Sequence, residues 1–151
     1  MTDNLLHFED FHAGQIFALG PYLMTEEAII AFAREFDFQP FHLDKDAAEK
    51  SVLGSLSASG WHTASAMTRM MCDAVYARSD ILGSSGIKEM KWLKPVFPGD
   101  VLSGTMTITG TRRSASRPEM GIVTFDAEVA DQFGTVKATT KSMAFFRVRG
   151  S

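Results

Sequence analysis

Asp37 and His42 are the residues of this chain whose types and spacing could do chemistry. They lie in the stretch Phe36-Asp37-Phe38-Gln39-Pro40-Phe41-His42-Leu43-Asp44, where a carboxylate and an imidazole bracket a proline among apolar and aromatic neighbours. Held close together, such groups form an acid–base pair that can take a proton from one reacting atom and return one to another. Residues five apart on a continuous helix point in divergent directions. Pro40 disfavours helical geometry at Gln39, and a break there lets the two side chains converge. The plain alternative is a helix-end acid beside a satisfied, partly buried histidine.

The flanking elements can be read from periodicity. Residues 15–24 read as a first strand, with Gly20-Pro21 marking an irregularity. Thr25 precedes Glu26 and Glu27 as an N-cap with acids in the first turn. Ile29, Phe32, Ala33 and Phe36 follow at helical spacing, which predicts a short helix ending near residues 36–38. Asp37 therefore falls at a helix end and His42 in the loop beyond. Asp44 or Asp46 is placed to cap a second short helix through Ala47, Ala48 and Glu49.

A longer helical pattern begins near Ser59 and runs through Trp61, Ala64, Met67, Met71, Ala74 and Val75. Its small and apolar residues predict close packing on several sides, as in a helix wrapped by a curved sheet. Beyond Leu82-Gly83-Ser84-Ser85-Gly86 four strands follow, over residues 87–96, 101–111, 121–131 and 135–149. The turn Asp131-Gln132-Phe133-Gly134 joins the last two as a hairpin. One strand, helices and then four strands predict an α+β fold, an antiparallel sheet with its helices on one face.

At 151 residues and 45% hydrophobic content, the chain reads as a single domain, residues 1–151, with a sizeable core. A formal net charge of -3 gives no electrostatic footprint for nucleic acid. The N-terminus MTDNLLHFED lacks the basic flank and apolar run of a signal peptide, and no apolar stretch suits a membrane span. The one cysteine, Cys72, excludes an internal disulfide and fits a reducing compartment, so a cytoplasmic location is expected. Cys72 itself reads as a buried thiol among core methionines.

The motifs resemble the MaoC-like dehydratases, the (R)-specific enoyl-CoA hydratase family. That family's Asp-x-Asn-Pro-x-His signature, followed by an apolar residue and Asp, is matched from Asp37 through Asp44. A small residue and glycine at the head of the long helix appear as Ser59-Gly60, and the Pro-Val-x-Pro-Gly-Asp turn as residues 95–100. The opening FEDFHAGQIF is similar to the family's entry into its first strand. The resemblance spans almost the whole chain and implies a single hotdog fold, a curved antiparallel sheet of five strands around a long central helix. It implies reversible hydration of an enoyl-CoA thioester, with Asp37 and His42 as the proton-transfer pair and the Gly60 N–H as oxyanion donor. A helix N-terminus suits that donor, and glycine lets a substrate approach the backbone.

On the same resemblance Gln39, Pro40, Phe41, Ser59, Trp61 and His62 line the substrate site. Gln39 departs from the family's Asn by one methylene, and Trp61 is bulkier than expected. If Trp61 points inward it reshapes an acyl tunnel; outward it packs in the core, which is the expectation. Ser59 doubles as an N-cap candidate, and His62 as a helix-packing residue whose position disfavours the protonated form. Arg112 and Arg113, with Arg117, form a basic cluster suited either to CoA phosphates or to a solvated turn.

No metal is expected from the spacing of the four histidines, and CoA enters as part of the substrate, not as a bound cofactor. A homodimer is expected. A hotdog thioesterase using Asp37 to activate water, and a non-catalytic acyl-CoA-binding module, are the rival readings.

Overall fold

The computed structural model describes residues 4–151. The chain forms β1 (Ile16–Leu23), α1 (Glu26–Phe36), α2 (Lys45–Glu49), α3 (Gly60–Ala74), β2 (Ile81–Gly83), β3 (Ile87–Trp92), β4 (Val101–Arg113), β5 (Met120–Ala130) and β6 (Val136–Arg147). All strand pairs are antiparallel, in the order β1-β4-β5-β6, and β6 carries β2 and β3 along its other edge. The sheet curves around α3, a hotdog architecture of the α+β class. The core follows from that wrapping. Met67, Met70 and Met71 of α3 are buried against Leu102, Met106 and Ile108 of β4 and Val123, Phe125 and Val129 of β5. Thioether side chains with three rotatable bonds fit the uneven space under a curved sheet.

The short helices form for the local reasons the sequence contains. Thr25 Oγ1 accepts the Ala28 N–H at 3.1 Å and starts α1. Asp44, not Asp46, caps α2, accepting the N–H groups of Asp46 and Ala47. Pairing of β1 with β4 slips between Leu19 and Tyr22, at the Gly20-Pro21 irregularity.

Three expectations need correction. The sheet has six strands, because Ile81–Gly83, read as part of a break, pairs with Phe146 and Phe145 of β6. Three residues ending in glycine are too few for an alternation signal. β3 stops at Trp92 and not near residue 96, because Leu93 and Lys94 both turn their N–H groups onto the Lys137 carbonyl and Pro95 has none to give. The expected wrapping of α3 by the sheet is present, and in the single chain the side of the helix away from the sheet is open. Trp61, Ser65, Thr68, Arg69 and Asp73 form an exposed face, along which Arg69 pairs with Asp73 one turn on. Cys72 is half-buried rather than buried.

Candidate active site

Asp37 follows the last residue of α1 and closes the helix, its N–H reaching the Ala33 carbonyl at 2.9 Å. Its backbone has left the helical region (φ -154°, ψ 66°). Pro40 then opens a single 3-10 turn, Pro40–His42, whose fixed φ suits that first position. The turn brings the His42 ring back toward Asp37, and His42 Nε2 lies 3.7 Å from Asp37 Oδ2. The break at proline thus has the predicted effect: the two groups converge.

Each is held by further bonds. Asp37 Oδ2 accepts the Ser59 hydroxyl at 2.6 Å, and Oδ1 accepts the Gln39 side-chain amide at 2.6 Å. The Ser59 hydroxyl, above all, holds the Asp37 carboxyl below its ordinary range. Burial pulls the other way, and the Gln39 amide and the nearby His42 add to the lowering. The Gln39 side chain therefore orients the aspartate, while its carbonyl accepts the His42 N–H at 3.0 Å.

His42 is buried, with Phe41 edge-on to its ring at 4.5 Å. Its Nδ1 lies 2.7 Å from the Ser57 carbonyl oxygen. A carbonyl can only accept, so Nδ1 carries the hydrogen and a neutral ring presents the Nε2 lone pair toward Asp37. Across 3.7 Å Asp37 Oδ2 faces His42 Nε2, an acceptor when the ring is neutral and a donor when it is protonated.

The segment Leu56–Ser59 is buried throughout and supplies both of these partners, the Ser57 carbonyl and the Ser59 hydroxyl. Ser59 also caps α3, its Oγ accepting the Trp61 N–H at 3.2 Å. It is wholly covered in this structure, and its role is to fix Asp37 to the start of α3. The cap leaves the Gly60 N–H, one of the first four helical donors, without an intrahelical acceptor at the positive end of α3.

Gly60 itself has another reason to be glycine. A Cβ there would lie 2.5 Å from the indole of Trp92, whose Nε1–H donates to the Gly60 carbonyl at 2.8 Å. Close approach occurs, but by Trp92. Trp61, expected in the core, is 58% exposed and meets Trp92 edge-on at 5.2 Å. It stands at the head of an apolar cleft of about 370 Å³ that follows the outer face of α3, lined among others by Met71, Met90 and Met143.

His62 is buried and stacks on Phe32 of α1 at 4.8 Å. Burial lowers its pKa, and its Nδ1 has no partner. Pro40 is exposed at the rim. Arg112 and Arg113 are not brought to the pair within one chain. They pair with Ile122 and Gly121 at the far end of β4, whereas Trp92 over Gly60 lies level, through Ala138 and Val129, with Gly104. Arg113 and Arg117 instead bond within their own turn, to Pro118 O and Glu119. Among the described residues no group of three or more His, Cys, Asp or Glu is arranged to hold a metal. Ser57 and Trp92 escaped the sequence reading: one acts through its carbonyl, the other from a strand 32 residues away.

Comparison with known proteins gives consistent results. Residues 12–130 match the family model described as a MaoC like domain. A MaoC-like dehydratase from Rhodospirillum rubrum is 37% identical, with a TM-score of 0.89, covering 97% of this chain and 99% of its own. YdeM of Bacillus subtilis, described as uncharacterized, is 28% identical over 79% of this chain and 83% of itself. The R-hydratase PhaJ1 of Pseudomonas aeruginosa, 15% identical, shares the fold with a TM-score of 0.73, over 93% of this chain and 85% of its own.

Proposed function

The chain belongs to the MaoC-like dehydratase family, and on that premise we propose that it adds water reversibly across the double bond of an enoyl-CoA thioester. The observation that carries this is the approach of Asp37 Oδ2 and His42 Nε2 to 3.7 Å of one another. A water giving one hydrogen to each is held with a lone pair free for attack. Its oxygen bonds to C3 of the enoyl group while one member of the pair takes its proton, and the pair returns that same proton to C2, so that the C=C π bond is spent and the pair ends as it began. The thioester oxygen gathers negative charge in between, and the Gly60 N–H at the head of α3 is the donor we assign to it. Read backwards, the same steps dehydrate a 3-hydroxyacyl thioester. No prosthetic group is required, since CoA arrives with the substrate.

A second copy of the chain fits this reading. The free edge of β3 carries exposed Ile87 and Trp92 next to the apolar cleft along α3. Homodimerisation would cover both, and light scattering at two concentrations checks it. Activity is checked by loss of enoyl absorbance on incubation with an enoyl-CoA, beside an assay for free thiol. Absorbance loss without thiol release supports hydration. Thiol release would instead identify a thioesterase. Binding without turnover would identify a non-catalytic acyl-CoA module.

A further inference from the structure

Lys137 of β6 is 5% exposed. Its ammonium donates to the Pro95 carbonyl at 2.8 Å and lies 3.4 Å from Asp100 Oδ2 and 3.5 Å from Asp131 Oδ2, with the Phe97 ring 5.0 Å away. A buried cation with three donors is costly to leave unpaired, so it draws these groups together. Two of them, Pro95 and Asp100, bracket the turn of residues 95–100. Asp100 Oδ2 also accepts the Phe97 N–H at 2.9 Å, closing that turn.

The turn in turn grips the site. The Val96 carbonyl accepts the Ala58 N–H at 2.8 Å. Ala58 sits between Ser57, whose carbonyl sets the His42 tautomer, and Ser59, whose hydroxyl holds Asp37. We infer that Lys137 is a positioning residue for the acid–base pair, acting through the 95–100 turn and the Val96–Ala58 bond on the segment that fixes both Asp37 and His42. The inference rests on the proposed role of that pair, but its main readout does not need turnover.

Nitrogen-15 spectra of histidine-labelled protein report which ring nitrogen of His42 is protonated and how fast that proton exchanges. Lys137→Met removes the cation. Asp100→Asn keeps an acceptor for the Phe97 N–H and weakens only the attraction to Lys137, so it serves as the milder variant. Val123→Ala, a remote core substitution, supplies a destabilised control. In both test variants exchange of the His42 Nδ1 proton should speed up by about tenfold or more, the site segment opening more readily. Where the enzyme turns over, kcat should fall toward about a hundredfold with KM little changed, as for a small misplacement of catalytic groups. A His42 signal in Lys137→Met and Asp100→Asn identical to the unsubstituted protein, or altered equally in Val123→Ala, would overturn the inference. Absence of turnover with the altered His42 signal would leave the positioning role standing and refute only the hydratase reading.

Discussion

The Ser59 hydroxyl donates to Asp37 Oδ2 at 2.6 Å while accepting the Trp61 N–H at 3.2 Å. One side chain thereby caps α3 and ties its head to the tail of α1, so the carboxylate and the first turn of α3 are set by the same hydroxyl.

Ser59→Ala removes both bonds. The lost cap alone should cost about 1 kcal/mol, measurable by denaturant unfolding. Asp37 should also lose the principal influence that lowers its carboxyl pKa. A carboxyl lowered in the folded state contributes stability above its unfolded pKa of about 3.9, and loses it as pH falls through the folded value. The melting temperature of the unsubstituted protein should therefore drop on acidification through and below that value. Relative to it, Ser59→Ala should show a smaller acid-side drop from Asp37.

Gln39→Leu keeps the side chain's bulk and removes the amide that bonds Asp37 Oδ1. Gln39 is exposed, so stability should change little, by roughly 0.5 kcal/mol or less. Turnover should fall, because one carboxylate oxygen is no longer oriented. Gln39→Asn, with one methylene fewer, should recover only part of the loss if the 2.6 Å bond needs the longer arm. Steady-state kinetics on the two variants separate these outcomes.

Gly60→Ala drives a methyl group into the Trp92 indole. Overpacking of this kind costs about 1–3 kcal/mol, and displacement of Trp92 should shift the emission spectrum. The chain has two tryptophans, Trp61 and Trp92, in edge contact beside the same peptide, so intrinsic fluorescence is a local probe. Titration with a CoA thioester should change emission, and calorimetric binding without any emission change would place the ligand elsewhere.

Much of this arrangement was legible because its causes are local. Proline at position 40 opens the turn beyond α1, which brings His42 back toward Asp37. Thr25 and Ser59 cap as their side chains require. What could not be read depends on contacts distant in sequence: Ser59 meets Asp37 across 22 residues and Trp92 meets Gly60 across 32. Lys137 has the pattern of an ordinary solvent-facing strand lysine, and nothing in Val-Lys-Ala-Thr-Thr tells that two carboxylates and a carbonyl surround it. Trp61 misled for a related reason. Its side chain is large and apolar, yet it falls on the outer face of α3, where Trp92 meets it edge-on and more than half of it stays exposed.

The central claim is that Asp37 and His42 act together on one water, and the most direct test is the enoyl-hydration rate of Asp37→Asn. Asparagine preserves shape and the Ser59 contact but replaces a proton acceptor by an amide. The rate should fall by about 10²–10⁴-fold, the range for loss of a positioned acid or base, with the fold intact by circular dichroism. A folded Asp37→Asn variant that hydrates the enoyl-CoA at the unsubstituted rate would contradict the account.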